Sequence, residues 1–517
     1  MKGITRCIAR TELNDSGAGE VLILRQTIIM ESTCMSLQFP NIPEFTGLYQ
    51  PSRVEVSVVD LEVEGTLPEA IKGTFYQVAP DPHYPPMLGK DIFFNGDGIV
   101  SAFRFENGRV SLQRRYVETE RLKAQRREHR SLNGTYRNVY TNDPLAADNN
   151  TTANTTVIEH NGVLLAMKED ALPWAMDLET LETLGEWDFH GQITSATFTA
   201  HPKVDPDTGA LLCFAYEAKG EATPDIAYFE ISAEGKLVRE IWFQAPYAAM
   251  IHDFAVTQNY VVFPIIPLTA DLDRMKSGGQ HFQWQPDLPQ LFGIVPRDGS
   301  ADDVRWFYGP ANGFQGHTLN AYEDGSKIFV DMPVTNGNVF YFFPEEGGYV
   351  PPPEALKAAL MRWTFDLNAD DTTVTPQLLT RTPFPCEFPR CDERYSGKPY
   401  HYGFTLAYDP QLPFDTTTLG APPFQFFNQL ARINVATGEN EMWYPGDAQC
   451  FQEPIFIPRH AQAAEGDGWV VCIMNDLRKR TSDLIILDTA QWTQGPVARV
   501  KVPFRLRMSL HGNWSGK

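Results

Sequence analysis

Four histidines stand in surroundings suited to a buried ligand: Phe198-Thr-Ala-His201-Pro202, Met250-Ile-His252-Asp253-Phe254, Gly313-Phe-Gln-Gly-His317-Thr318 and Leu510-His511-Gly512-Asn513-Trp514. Neutral imidazole is a frequent ligand of divalent transition metals. Any one of them alone reads better as a hydrogen-bonded core residue; as a set they are read as converging on one metal. His511 carries most of that weight. The end of a chain is ordinarily frayed and tolerant of change, yet this histidine follows the strand-like run Ala498 to Phe504 and precedes a glycine and a tryptophan.

Four imidazoles with no ligating carboxylate would leave a divalent iron its full double charge and, in an octahedral shell, two unfilled positions. O2 needs one of them. The commoner non-haem iron site uses two histidines and a carboxylate, so an all-histidine set must take its orientation from groups behind the ligands. Metal-bound imidazoles usually donate their other ring N–H to a carboxylate, a carbonyl or water. Three glutamates suit that role: Glu169 in Lys168-Glu169-Asp170, Glu387 in Cys386-Glu387-Phe388-Pro389-Arg390, and Glu453 in Gln452-Glu453-Pro454-Ile-Phe-Ile-Pro458. The last two lie in apolar, proline-rich segments where an unpaired charge would be costly.

The elements that must position these groups are short and β-rich. Runs such as Val100 to Phe105, Gly162 to Lys168, Ala210 to Tyr216 and Tyr260 to Ile265 are separated by turn signals: Asn107-Gly108, Asn161-Gly162, Asp207-Thr-Gly209, Glu234-Gly235, Asp298-Gly299, Asp324-Gly325 and Thr437-Gly438. Such pairs are favoured where a hairpin requires positive φ. Helical patterns are few, at Glu118 to Ser131, Leu272 to Lys276 and Glu354 to Trp363, and read as insertions. A long antiparallel meander must close or stack its sheets to hide its edges, and a propeller of four-stranded blades does so. Histidine separations of 51, 65 and 194 residues, the last near four units of about 50, fit blade-sized repeats.

Composition narrows the partners. A formal charge of −22 over 517 residues speaks against nucleic-acid phosphate, which needs a clustered basic surface. The basic stretch Arg114 to Arg130 is interleaved with Glu118, Glu120 and Glu128, and reads as a solvated helix with local ion pairs. Seven scattered cysteines suit a reducing, cytoplasmic setting, with Cys386 and Cys391 as packed thiols. The first residues hold no apolar run near the roughly 18 to 20 of a membrane span. Residues 1–39 read as a disordered extension, with Met30 or Met35 as alternative starts, and 40–517 as a single domain.

From about Phe45 to Trp514 the chain resembles the carotenoid cleavage oxygenases, and among them the stilbene-cleaving lignostilbene and resveratrol dioxygenases. The resemblance rests on Gly73-Thr-Phe-Tyr76, Phe94-Asn-Gly-Asp-Gly98, Thr152-Ala-Asn-Thr155, Leu165-Ala-Met-Lys-Glu169, Thr199-Ala-His201-Pro202, Ile251-His-Asp-Phe254, Glu387-Phe-Pro389, Glu453-Pro454 and Leu510-His-Gly-Asn-Trp514. It implies an all-β, seven-bladed propeller capped by loops and helices over an axial metal. It also implies one Fe(II) per chain held by His201, His252, His317 and His511, with Glu169, Glu387 and Glu453 bonded to the ligands. The implied reaction is oxidative splitting of an activated C=C bond by O2 into two carbonyl products.

The branch is chosen by Tyr136 and Lys168, which match positions where stilbene-cleaving relatives bind the substrate's 4-hydroxyl. A long polyene offers nothing to such a polar pair. A phenol ionises more readily beside a positive charge, and a phenolate feeds electrons to the olefin. Strand pleating should send Lys168 and Glu169 to opposite sides. Thr155 matches a threonine close to the iron, and Phe314 is placed to pack on a flat aromatic substrate. At Tyr76-Gln-Val-Ala-Pro80 the chain departs from the arginine-asparagine-glycine-proline turn of many carotenoid enzymes. The expected substrate is a 4-hydroxystilbene such as resveratrol or piceatannol. The alternatives are an apocarotenoid, an isoeugenol-type phenylpropene, or a non-catalytic propeller scaffold.

Overall fold

The computed structural model describes residues 38–415 and 426–516; the expected extension over 1–39 therefore lies, but for its last two residues, outside the described residues. Among the described residues, seven sheets of at least four strands form a seven-bladed propeller. Blade 1 is built on Gly73–Pro80, Gly98–Glu106 and Arg109–Tyr116; blade 2 on Thr156–His160 through Thr183–Glu186; blade 3 on Lys203–Val204 through Leu237–Gln244. Blade 4 runs from Ala255–Val256 to Arg305–Ala311, blade 5 from Phe314–Gln315 to Gln377–Leu378, blade 6 from Cys386–Cys391 to Glu439–Trp443, and blade 7 from Gln449–Phe451 to Ala498–Val502. Both ends of the chain close the ring. Gly512–Gly516 pairs with Gly73–Pro80 of blade 1, and Val63–Gly65 pairs with Ala498–Val502 of blade 7.

The strand Leu211–Tyr216 explains why blade strands read as continuous apolar runs. Side chains alternate along a strand, and here Leu211, Cys213 and Ala215 pack against blade 2 while Leu212, Phe214 and Tyr216 pack against blade 4. Both faces are therefore buried, at a gain of about 1.5 to 3 kcal/mol per large apolar side chain. Every pair of neighbouring blades has its own apolar cluster, including that between blades 7 and 1, where Phe75 and Phe103 meet Trp469, Val471 and Ile473. The expected turns behave as their chemistry requires, with Asn107 at φ 51° and Gly108 at 71°. Asp298-Gly299 is the exception. Gly299 keeps ordinary φ, its amide donates to Pro296 O, and a Cβ there would stand 3.1 Å from that same oxygen, so the glycine serves close approach rather than positive φ.

Three insertions bond to one another as a cap. One holds the helix Glu120–Glu128, a second the helix Leu272–Lys276 with the hairpin Leu268–Ala270/Phe282–Trp284, and a third spans 336–357. Asn138 Nδ2 donates to Met275 O at 2.9 Å, and the Trp284 amide donates to Pro344 O. Two expectations need correction. Residues 354–363 are not a helix: a short 3-10 turn, Pro353–Ala355, leads into the strand Ala358–Asp366. Trp363 and Phe365 are buried at strand spacing there, and full pairing with Lys327–Thr335 outweighs the helix propensity of the alanine-rich start. The basic stretch is not simply solvated. Arg114 lies in a strand and is buried against Asp81, and Arg121 is buried on Asn95 and Asp97, because internal carboxylates supply partners that sequence spacing does not reveal.

Candidate active site

All seven blades send one chemically active side chain toward a common centre. His201, His252 and His317 stand beside or between the short inner strands of blades 3, 4 and 5, and His511 immediately precedes Gly512–Gly516 in blade 1. Glu169 follows the second strand of blade 2, Glu387 lies in the inner strand of blade 6, and Glu453 sits between the two inner segments of blade 7. Ligand atoms of His201, His252 and His317 lie within 4.8 Å of one another. The Nε2 atoms of His201 and His252 are 3.3 Å apart, and those of His252 and His317 3.1 Å. His511 joins them by its ring, whose centroid is 4.5 Å from that of His201 and 4.6 Å from that of His317.

Carboxylates tie back the Nδ1 atoms of three rings. Glu169 Oε2 meets His252 Nδ1 at 3.1 Å, Glu387 Oε2 meets His317 Nδ1 at 2.5 Å, and Glu453 Oε1 meets His511 Nδ1 at 2.9 Å. Among the described residues three carboxylates serve the four histidines, and His201 is the one without. Burial alone would raise all three carboxyls, but the cations and imidazoles facing them outweigh it and hold each below the ordinary carboxylate range. Burial pushes His511 down to about 4, and burial followed by its histidine neighbours holds His201 well below the usual value. For His317 burial also pushes down, but Glu387 outweighs it and the net direction is up.

Two glycines make the approach possible. A Cβ at Gly316 would collide with Glu387 Oε1, and one at Gly512 would stand 2.5 Å from the Tyr76 carbonyl. Phe388, which the sequence reading left without a role, stacks on His317 at 5.2 Å and lies 5.0 Å from His511. Its φ of 52° is a conformation a phenylalanine rarely adopts, held where the strand register shifts between Glu387 and Arg390. That bend turns the Phe388 amide onto Glu387 Oε2 at 2.6 Å.

Tyr136, from the cap, meets Lys168, which follows the second strand of blade 2. Lys168 Nζ lies 4.7 Å from the centroid of the Tyr136 ring and donates to Phe94 O at 3.1 Å and Thr152 Oγ1 at 3.0 Å. Burial pushes the Lys168 ammonium down to about 8 and the Tyr136 hydroxyl well above its usual value. Lys168 and Glu169 do face different partners, though both lie just beyond the strand Val163–Met167, so a turn rather than pleating separates them. Thr155 is buried against the ligand set, its carbonyl accepting from the His511 amide at 3.0 Å. Phe314 is buried, 4.9 Å from Phe340. The run Phe340 to Phe343, unremarked in the sequence, links the two ends: Phe340 lies 6.2 Å from His252, while Phe342 and Phe343 each lie 5.9 Å from Tyr136.

The RPE65 family model, described as retinal pigment epithelial membrane protein, matches residues 49–516. The chain belongs to that family, the carotenoid oxygenases. It is 66% identical to a lignostilbene dioxygenase from Pseudomonas brassicacearum whose crystal structure superposes with a TM-score of 0.92, covering 93% of this chain and 100% of that one. It is also 44% identical, over 93% of its length and 97% of the other's, to a resveratrol cleavage oxygenase 1 from Aspergillus fumigatus. An isoeugenol monooxygenase from Pseudomonas nitroreducens is 42% identical over 92% of this chain and 98% of that protein. The family assignment makes this propeller an oxygenase rather than a bare scaffold. No helix among the described residues is long and apolar enough to cross a membrane.

Proposed function

We propose that residues 40–517 act as one Fe(II)-dependent dioxygenase domain that cleaves the central C=C bond of 4-hydroxystilbenes such as resveratrol or piceatannol into two aromatic aldehydes. The observation that carries the substrate class is the buried Lys168 ammonium set against Tyr136, joined to the histidine cluster by Phe342 and Phe340. The histidine donor set suits a divalent metal: Nε2 atoms converge, the Nδ1 atoms of three rings are tied to carboxylates, and burial opposes protonation of His201 and His511. His201, His252, His317 and His511 would hold one Fe(II), and Glu169, Glu387 and Glu453 would fix three of the rings. Bound there, iron would supply the activation of O2. The described free cysteines, all buried, suit the reducing cytoplasm.

The chain's own residues supply the rest. Two of the three Lys168 N–H bonds go to Phe94 O and Thr152 Oγ1, Asp170 Oδ2 stands 3.9 Å from Nζ, and the remaining N–H would meet a phenol oxygen. Tyr136, whose burial keeps its hydroxyl protonated, donates to the same oxygen. When Lys168 enters as the neutral amine, which burial makes accessible at about pH 8, it takes the phenol proton, and electron density of the phenolate held by the resulting ammonium moves through the ring to the olefin. Phe314 and the Phe340 to Phe343 wall clamp the flat rings and exclude water, and the Thr155 methyl limits access beside the metal. An isoeugenol-type phenylpropene presents the same 4-hydroxyphenyl group, and the 42% identity to an isoeugenol monooxygenase supports it as a second reading. A polyene would offer no acceptor to the remaining Lys168 N–H, whereas a phenol does.

The test is a cycle of two enzymes and two substrates. Lys168→Ala should retain iron and fold yet lose most activity toward a 4-hydroxystilbene. The 4-methyl ether should already be poor with the wild type, and the substitution should add little, because both changes remove one interaction. A methyl ether cleaved as fast as the free phenol would contradict phenol activation.

A further inference from the structure

The three carboxylates behind the histidines are not supported alike. Glu387 receives the Phe388 amide at 2.6 Å, and Glu453 receives the Gly512 amide at 2.8 Å, so the backbone holds both. Among the described hydrogen bonds Glu169 receives no backbone N–H. Its second oxygen, Oε1, is held by Arg137 Nη1 at 3.2 Å.

Arg137 is itself deeply fixed. Its side chain is 3% exposed, Nη2 donates to Glu217 Oε2 at 3.0 Å, and Nη1 also donates to the Tyr216 hydroxyl at 2.6 Å. The guanidinium lies 4.9 Å from the centre of the Phe282 ring. His281 closes the arrangement, with Nε2 2.7 Å from Glu217 Oε1 and Nδ1 2.9 Å from the Arg137 carbonyl. The backbone is pinned as well: Arg137 sits at φ 57°, and the next residue, Asn138, donates to Met275 O and Gly279 O. The same short segment carries Tyr136. A guanidinium fastened at both ends cannot shift without moving either the carboxylate behind His252 or the backbone that presents Tyr136.

We propose that Arg137 is a positioning residue that ties the orientation of His252, through Glu169, to the placement of Tyr136 at the phenol end of the site. The inference rests on the function proposed above and adds that metal centre and substrate pocket are set by one side chain. Arginine is suited to this because its planar fork serves two carboxylates at once, whereas a lysine ammonium is a single point charge.

The experiment uses the full chain loaded with Fe(II), comparing wild type with Arg137→Gln, Arg137→Lys and Glu387→Gln. Iron affinity is read by chelator competition, the ferrous site by the electron paramagnetic resonance of its nitric oxide adduct, and the pocket by KM and kcat for a 4-hydroxystilbene. Arg137→Gln should weaken iron binding by roughly 10-fold, alter the resonance and raise KM; Glu387→Gln should weaken iron binding without raising KM. Arg137→Lys, which keeps the charge, should fold and fall between. If Arg137→Gln does not fold, the lysine variant alone decides. Folded Arg137 variants with wild-type iron affinity, resonance and KM, even with a lowered melting temperature, would overturn the coupling alone. A wild type that takes up no iron would overturn both the coupling and the proposed function.

Discussion

At the scale of single residues, Lys168 is the side chain whose environment most changes its chemistry. Burial brings its ammonium from 10.5 to about 8, while a free phenol ionises near about 10. The productive pair is ammonium and phenolate, which holds one proton fewer than the ammonium and phenol that meet at neutral pH. Since kcat/KM reports free enzyme and free substrate, it should rise with pH up to about 8. It should then stay level to about 10 and decline beyond. Lys168→Ala should move the rise from about pH 8 to the phenol's own ionisation at about pH 10, and a wild-type profile flat from about pH 6 to about pH 9 would contradict the assignment. His201, His252, His317 and His511 were legible from their local sequence and from the family resemblance. Arg137 and Phe388 were not. An arginine in Thr-Tyr-Arg-Asn reads as surface, and only the fold brings Glu169 and Glu217 to it from blades 2 and 3; a phenylalanine before a proline gives no sign of a left-handed backbone.

Among the elements, the inner strands succeed because they carry the site on rigid backbone. Gly316 is the clearest case: it lies between Phe314–Gln315 and Asn320–Asp324, and Glu387 Oε1 occupies the space a side chain there would take. Gly316→Ala should therefore displace Glu387 from His317 and lower iron retention by roughly 10-fold. Glu387→Gln should do the same, and the double variant should be no worse than either, as expected of two changes to one interaction. Iron per chain after dialysis against a chelator measures this, and additive losses would separate Gly316 from the carboxylate. The strand positions were legible because short apolar runs bounded by turn residues mark them, as in Val163–Met167 after Asn161-Gly162. Residues 354–363 misled because their composition favours a helix, while the pairing that decides their form comes from Lys327–Thr335. The run Phe340 to Phe343 likewise reads as core until the fold sets it between Tyr136 and His252.

For the whole molecule, closure and catalysis meet in the last residues. Gly512–Gly516 completes blade 1 and is preceded by His511, and Trp514 packs on Phe105 at 5.6 Å where blade 7 joins blade 1. Trp514→Ala should cost about 3 kcal/mol, read by chemical denaturation, with iron lost as the ring opens; unchanged stability would remove the strand's closing role. The closed propeller could be read from turn spacing and the need to hide sheet edges, whereas the bonds that join three distant insertions into a cap could not. The central claim is cleavage of a phenolic stilbene at its central double bond. Its most direct measurement is the product mass from aerobic incubation of the iron-loaded chain with resveratrol, beside isoeugenol and a β-apocarotenal. Resveratrol should yield 4-hydroxybenzaldehyde and 3,5-dihydroxybenzaldehyde in equal amounts and turn over fastest. Intact resveratrol alongside rapid cleavage of either other substrate would contradict the account.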